Sequence, residues 1–277
     1  MSKEKEFDNK TSSGRKISRR NAIKYAGVTA GGALVTYLGM KYYTGQNDST
    51  ATMPLANEAD ANLITYQNKT NMKVLLLNGS PHKKGCTYTA LSEVGVALEQ
   101  NGIESKLSWL GMESISGCRG CGSCRSTGKC IIEDNVNVLL EKVNTYDGFV
   151  FGSPVHYAGA SGFITPFLDR LFYAGGSRFA GKPGAAIVSC RRAGSTAALE
   201  QLNKYITISN MPLVSSQYWN MVHGNTPDEV RRDLEGMQTM RALGQNMAWI
   251  VKCIAAGKAA GIEPPTYEQR TATNFIR

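Results

Sequence analysis

The sequence predicts an α/β protein, a three-layer sandwich in which helices cover both faces of a five-stranded parallel sheet. Two observations lead to this prediction. From Lys73 onward, short apolar runs alternate with amphipathic stretches, which is the pattern of successive βαβ units. Two of the apolar runs also end in the same tripeptide, Gly-Ser-Pro, at 79–81 and 152–154. The predicted domain covers residues 73–277.

Five apolar runs are interpreted as strands, and the amphipathic stretches between them as helices. A last helix is predicted from Thr226, because Thr226, Pro227 and Glu229 combine a capping hydroxyl, a first-turn proline and a glutamate three residues after the cap. Apolar residues from Val230 to Ile254 continue at helical spacing, and we assign this stripe to core or subunit contact. The predicted strands are 73–78, 103–110, 148–152, 184–190 and 212–215, and the helices between them are 87–100, 135–145, 163–173 and 196–208.

Charge and composition bound the function class. The net charge is +9, and residues 1–51 hold nine Lys and Arg against four Asp and Glu. The remainder of the chain is only modestly basic and has no basic stripe interleaved with aromatic residues, which argues against a nucleic-acid partner. With 42% hydrophobic residues, the chain can bury a globular core.

The amino terminus, residues 1–51, resembles a twin-arginine export signal, and residues 52–72 are interpreted as a linker. Arg19 and Arg20 are followed by a lysine and by a weakly apolar run, Tyr25–Met40, which is shorter than the ~20 residues that span a bilayer. We therefore expect export to the periplasm or the outer face of the cytoplasmic membrane, with membrane contact only through an uncleaved signal. The alternative is a basic tail or retained anchor, and without a signal the protein would be cytoplasmic.

Three loops are predicted to carry a ligand site. In a doubly wound sheet, ligands bind at the carboxyl ends of the strands where the strand order reverses, here between the first and third strands. The loop 79–89 has glycines for close backbone approach, hydroxyls, His82 and two lysines, and precedes a helix amino terminus, which suits a phosphate. It is not a Walker sequence. The loop 152–159 suits a planar, hydrogen-bonding ring, and the loop 190–195 borders the same crevice.

With these loops, the domain resembles the NAD(P)H-dependent FMN reductase and iron-sulfur flavoprotein family, which has a flavodoxin-like fold. The resemblance covers essentially all of residues 73–277. The resemblance implies FMN as the cofactor, with Ser80, His82 and Thr87 at its phosphate. Two positions depart from the family pattern: His82 stands where arginine is frequent, and Cys86, also assigned to the cofactor site, stands where asparagine is frequent. The resemblance further assigns to the isoalloxazine ring and its surroundings Ser153, Pro154, Val155, His156, Tyr157, Arg191 and Gly194.

Four of the seven cysteines fall within thirteen residues, with the spacing C-x2-C-x2-C-x5-C. Thiolates this close can surround a [4Fe–4S] cluster, and nearby Arg and Lys residues offset its negative charge. The run also resembles the cluster motif of iron-sulfur flavoproteins. Zinc, a disulfide and free thiols remain alternatives. The predicted ligands are Cys118, Cys121, Cys124 and Cys130.

The leading functional hypothesis is an exported FMN-dependent oxidoreductase that transfers electrons between flavin and cluster. Because nicotinamide would be scarce after export, we expect a redox partner protein or a quinol-linked donor, with a small-molecule acceptor as an option. One alternative is an NAD(P)H-dependent reductase of FMN, quinones, azo dyes or nitro compounds, with a structural cysteine site. Another is a non-enzymatic flavodoxin-like carrier, which an acidic surface would favour. The family resemblance implies a homodimer or homotetramer.

Overall fold

The computed structural model describes residues 72–273. The predicted signal region, 1–51, lies outside the described residues, as does the predicted linker apart from Met72. None of the helices in the described part of the chain is long and apolar enough to cross a membrane.

The five-stranded parallel sheet and the flavodoxin-like topology are confirmed. The strand order is β2-β1-β3-β5-β6, and the short β4 pairs antiparallel with the end of β3. The strands are β1 (Lys73–Asn78), β2 (Glu104–Trp109), β3 (Gly148–His156), β4 (Gly159–Ala160), β5 (Gly184–Cys190) and β6 (Met221–His223). The α-helices are α1 (Cys86–Gln100), α2 (Cys124–Thr127), α3 (Asn135–Lys142), α4 (Thr165–Gly175), α5 (Ser195–Ile208), α6 (Pro227–Arg232) and α7 (Leu234–Ala259), and short 3-10 turns follow α3 and α4.

Alternating residues of the central strands send side chains into two separate cores. Leu75 and Leu77 of β1 pack on one face against α3, α4 and α5. Val74 and Leu76 pack on the other face against α1, α6 and α7. Since strand side chains alternate between faces, the continuously apolar run at 73–78 fills both cores at once. Helices on both faces give the predicted three layers.

The sheet edge beyond β5 differs from the prediction. The predicted fifth strand, 212–215, makes a single parallel bridge between Leu213 and Gly184, at the start of β5. The fifth strand of the sheet is instead Met221–His223, which pairs with Val188–Cys190 at the end of β5. Two short segments therefore divide the edge that one strand was expected to occupy.

The predicted last helix is divided at Asp233 into α6 and α7. The Asp233 backbone is non-helical, and its carboxylate accepts hydrogen bonds from Gly236 N (3.0 Å) and His223 N (2.6 Å). One side chain thus caps α7 and ties it to β6. The apolar stripe continues across the break, so periodicity alone did not reveal it.

Candidate functional site

The first predicted loop is held in shape at the carboxyl end of β1. Asn78 Oδ1 accepts a hydrogen bond from Ser80 N (3.0 Å), and Ser80 Oγ accepts one from His82 N (3.1 Å). Asn78 and Ser80 are buried, whereas His82, Lys83 and Lys84 are exposed. The loop therefore has a buried hydrogen-bonded base and a cationic outer rim.

The amino terminus of α1 leaves backbone donors free. Gly85 caps the helix without any side-chain hydrogen bond, and within residues 72–273 the amides of Cys86, Thr87 and Tyr88 have no hydrogen-bond acceptor. Unpaired amides and the helix dipole together favour an anion. The two lysines and His82 precede this helix end, so the local charge has the sign that a phosphate requires.

The second loop is a tight hairpin. β3 extends to His156, beyond the predicted end at Gly152, and pairs antiparallel with β4. Tyr157 and Ala158 form the turn with φ values of 49° and 61°, a backbone region that non-glycine residues adopt infrequently. Tyr157 is fully exposed at the tip. Left-handed residues of this kind cluster at ligand sites, where the surrounding structure maintains them.

Buried hydrogen bonds join the first two loops. Gly79 N donates to Gly152 O (2.8 Å), across the two Gly-Ser-Pro segments. Ser161, whose side chain is buried, donates from Oγ to Gly79 O (2.7 Å), and its own amide donates to Ser153 Oγ (2.9 Å). The repeated tripeptides therefore meet at the carboxyl ends of β1 and β3, where the strand order reverses.

The third loop packs against the hairpin tip. Gly194 has φ +88°, and a Cβ at this position would lie 2.6 Å from the Ala158 Cα. A side chain at 194 would displace the turn that carries Tyr157. Arg191, in the same loop, is exposed.

The structure gathers the predicted cofactor residues on one rim but gives them different surroundings. Ser153, like Thr87, is fully buried, and the Thr87 hydroxyl shares a 2.8 Å hydrogen bond with the Ser189 hydroxyl of β5. Cys86 Sγ lies 3.7 Å from Gly224 O, and burial raises the pKa of this thiol. Pro154 and Val155 are half-buried, and His156 is exposed.

The cysteine loop, residues 118–130, runs between β2 and α3. All four predicted ligands line one pocket of about 530 Å³, together with Arg170 and Tyr173 of α4. Cys118 and Cys121 are exposed, and Cys124 and Cys130 are half-buried. Within residues 72–273, no three His, Cys, Asp or Glu side chains are grouped to hold a metal ion. The four thiols thus share a pocket without converging on one point.

Cys130 is the most firmly held of the four. Asn137 accepts from the Cys130 amide at 2.9 Å and donates to its carbonyl at 2.8 Å. Arg170 Nε donates to Cys130 Sγ at 3.2 Å. Burial lowers the pKa of the Arg170 guanidinium, but hydrogen bonds to Asp134 and Cys130 outweigh it and raise that pKa above its ordinary value. A permanently charged donor therefore lies beside this sulfur.

Comparison with known proteins decides the family. The family model described as NADPH-dependent FMN reductase matches residues 72–226. The chain belongs to this family. An iron-sulfur flavoprotein of Methanocaldococcus jannaschii is 31% identical over 191 residues, covering 66% of this chain and 99% of that protein. An iron-sulfur flavoprotein of Methanosarcina thermophila is 26% identical over 191 residues, covering 66% and 97%.

Solved structures agree with the fold of an FMN reductase family member. RosB, solved with a bound flavin-phosphate intermediate, has a TM-score of 0.54 at 14% identity, over 74% of this chain and 93% of RosB. A flavone reductase has a TM-score of 0.53 at 18% identity, over 66% of this chain and 64% of that chain. The protein is a flavin-dependent oxidoreductase with a flavodoxin-like fold. The free amides and cationic rim at the start of α1 fit the phosphate of FMN, the cofactor of the family.

Several residues that shape this site were not found by sequence reasoning. Trp109, the last residue of β2, donates from Nε1 to Ser80 O (2.8 Å), and Lys83 Nζ lies 5.6 Å from its ring centroid. Its position at a strand end beside β1 was the available signal. Ser161 and Ser189 gave no signal, because single serines become informative only through partners that are distant in sequence.

Proposed function

We propose that this FMN reductase family member transfers electrons between FMN and an iron-sulfur cluster within one polypeptide. Bound FMN exchanges one or two electrons and a cluster exchanges one, so the pair links two-electron and one-electron chemistry. The observation that carries the proposal is the single pocket lined by all four cysteines of the C-x2-C-x2-C-x5-C run. Two relatives that align over nearly their whole length are named iron-sulfur flavoproteins, which supports the same conclusion.

In this proposal the first loop binds the FMN phosphate. The free amides of Cys86, Thr87 and Tyr88 would donate to its oxygens, and Ser80 and His82 would complete the cradle. Thr87 contributes through its amide, since its hydroxyl is engaged with Ser189. The loop 153–157 and Gly194 would border the isoalloxazine ring, and the exposed Tyr157 and Arg191 belong to the same two loops.

The cluster is assigned to Cys118, Cys121, Cys124 and Cys130. Arg119 and Arg125 line the same pocket, so the cationic surroundings favour a group that carries net negative charge, as a thiolate-ligated cluster does. Glycines with positive φ at 120, 122 and 128 allow tight turns between the thiols. Zinc in the same thiolate set is the competing occupant.

The deciding experiment is an anaerobic absorption spectrum of the purified full chain, with FMN, iron and acid-labile sulfide measured on the same sample. We expect one FMN and four iron per chain, and an iron content that falls sharply in Cys118→Ser but not in Cys253→Ser, the matched exposed cysteine on α7. FMN without iron or sulfide would disprove the cluster, and zinc in its place would identify a structural site.

For the electron donor, we propose a redox partner protein or a quinol-linked donor, reached after twin-arginine export. NADPH is a second candidate, favoured by the description of the matching family model. Anaerobic stopped-flow mixing with NADPH and with NADH separates the two. Slow flavin bleaching by both supports the partner-protein donor, whereas rapid bleaching by either at micromolar concentration rejects it. Signal cleavage and location of the full-length chain in a bacterial host test export directly.

A further inference from the structure

Arg170 is a buried cation beside the cysteine loop. Its side chain is 1% exposed, and it is the largest fully buried side chain in the described structure. Taking a guanidinium out of water is costly unless its charge is paired and its donors are satisfied. Its partners therefore indicate what the position is for.

All five guanidinium N–H groups have acceptors within reach. Two terminal nitrogens form a bidentate pair with the Asp134 carboxylate, at 2.6 and 2.8 Å. The same nitrogens also donate to Ser116 O (3.3 Å) and Ile132 O (2.9 Å). The remaining donor, Nε, is directed at Cys130 Sγ (3.2 Å). Arg170 thus binds residues on both sides of the cysteine loop and closes the loop at its base.

We propose that Arg170 is a positioning residue that fixes Cys130 as a cluster ligand and raises the reduction potential of the cluster. The inference rests on the cluster proposed above. A cation at 3.2 Å from a ligand sulfur stabilises the more negative, reduced state over the oxidised state. Hydrogen bonds to ligand sulfurs are an established means of setting cluster potentials.

Arg178 provides a matched control in the same region. It donates to Gly128 O (2.9 Å) in the cysteine loop and to Leu140 O (3.0 Å), yet no hydrogen bond links it to a cysteine sulfur. It therefore tethers the loop without touching a ligand. A purely structural role of Arg170 would leave the cluster potential as unaffected as in the Arg178 variant, whereas a role in setting the potential would separate the two variants.

The test compares Arg170→Gln, Arg170→Lys and Arg178→Gln in the purified full chain with cofactors. FMN content and circular dichroism report folding, a redox titration followed by electron paramagnetic resonance reports the cluster potential, and a chelator challenge reports iron loss. We expect Arg170→Gln to lower the cluster potential by about 60 mV, which is a tenfold change in a one-electron equilibrium. Arg170→Lys keeps the positive charge but loses the bidentate pair with Asp134 and the Nε donor to Cys130. This variant should therefore lose iron several-fold faster than the wild type, with a smaller change in cluster potential than Arg170→Gln. Arg178→Gln should keep the wild-type potential.

Each result has a defined meaning. Wild-type potential and iron retention in Arg170→Gln would overturn the inference, and so would an equal shift in Arg178→Gln. If Arg170→Gln does not bind FMN, Arg170→Lys decides alone: iron retention like that of Arg178→Gln would overturn the inference. A wild-type chain without iron refutes the proposed function itself, and this is measured before any variant is compared.

Discussion

The flavin loops and the cysteine loop are built in different ways. The loops at 79–89 and 152–159 end buried parallel strands, and they are joined by backbone and hydroxyl hydrogen bonds through Gly79, Gly152 and Ser161. The cysteine loop is largely exposed, and it is held by Asn137 of α3, Arg170 of α4 and Arg178 of the 3-10 turn after α4. The sheet therefore preforms one site, whereas the other depends on a few polar tethers.

This difference predicts how substitutions propagate. Changes in the flavin loops should reduce global stability and FMN binding together, because the same buried contacts serve both. Changes in the cysteine loop should alter its occupant while leaving the rest of the fold intact, since residues 118–130 contribute no side chain to either apolar core.

The largest effect is expected at Gly79. A Cβ there would lie 2.5 Å from the Cβ of Ile164, the residue that caps α4, so Gly79→Ala forces the β1 loop away from the start of this helix. We expect a loss of about 3 kcal/mol in the free energy of unfolding, with FMN lost on purification. Urea denaturation of the iron-free protein measures this. The control is Gly117→Ala beside the cysteine loop, where a Cβ meets nothing within 4 Å and the change should stay within about 0.5 kcal/mol. Equal effects at the two positions would contradict the comparison.

Ser161→Ala should have the next largest effect. It removes the buried hydroxyl that donates to Gly79 O and leaves that carbonyl without this donor. We expect about 2 kcal/mol of destabilisation and faster FMN dissociation, followed by the recovery of flavin fluorescence on dilution. Ser126→Ala, which removes an exposed hydroxyl from α2, is the control and should change neither quantity. Unchanged FMN dissociation in Ser161→Ala would show that the two loops are not coupled through this residue.

Trp109→Phe tests a contact made by one hydrogen bond. Phenylalanine keeps the aromatic face near Lys83 but loses the Nε1 donor to Ser80 O. We expect the free energy of FMN binding to become less favourable by about 1 kcal/mol, which corresponds to roughly fivefold weaker binding. Titration of the apoprotein with FMN gives the value, and Trp249→Phe on the exposed side of α7 controls for the loss of an indole. An FMN affinity equal to that of Trp249→Phe would show that Trp109 does not contribute to the FMN site.

The loops of the candidate flavin site could be located from the sequence because their signals are local. A continuous apolar strand followed by Gly-Ser-Pro and a helix start is visible within about fifteen residues, and two copies locate the reversal of strand order. The prediction of the edge strand was wrong because the segments 212–215 and 221–223 are both short. Which of them forms the strand depends on pairing with β5. The division of the last helix was not predicted because it depends on a tertiary contact. The Asp233 carboxylate accepts a hydrogen bond from the His223 amide in β6.

The residues that hold the cysteine loop could not be predicted either, because their partners are also distant in sequence. Arg170 lies on an amphipathic helix, where an arginine is ordinarily assigned to the solvent face. It is buried because Asp134, Ile132 and Cys130 reach it from 36 to 40 residues earlier in the chain. The cysteine spacing could indicate that these residues form one group, and all four line one pocket, but it could not predict the residues that hold the loop.

The smallest effect on the fold is expected for Cys121→Ser, and it tests the comparison most directly. Cys121 is exposed and lies between glycines whose φ values are positive, with open space around them. The free energy of unfolding of the iron-free protein should therefore change by less than about 0.5 kcal/mol, and FMN affinity should be unchanged. Iron content should fall in the same preparation, because one of four thiolates is lost. A variant that loses FMN along with iron would show that the two sites are one cooperative unit, which is the result that would contradict the separation argued from their construction.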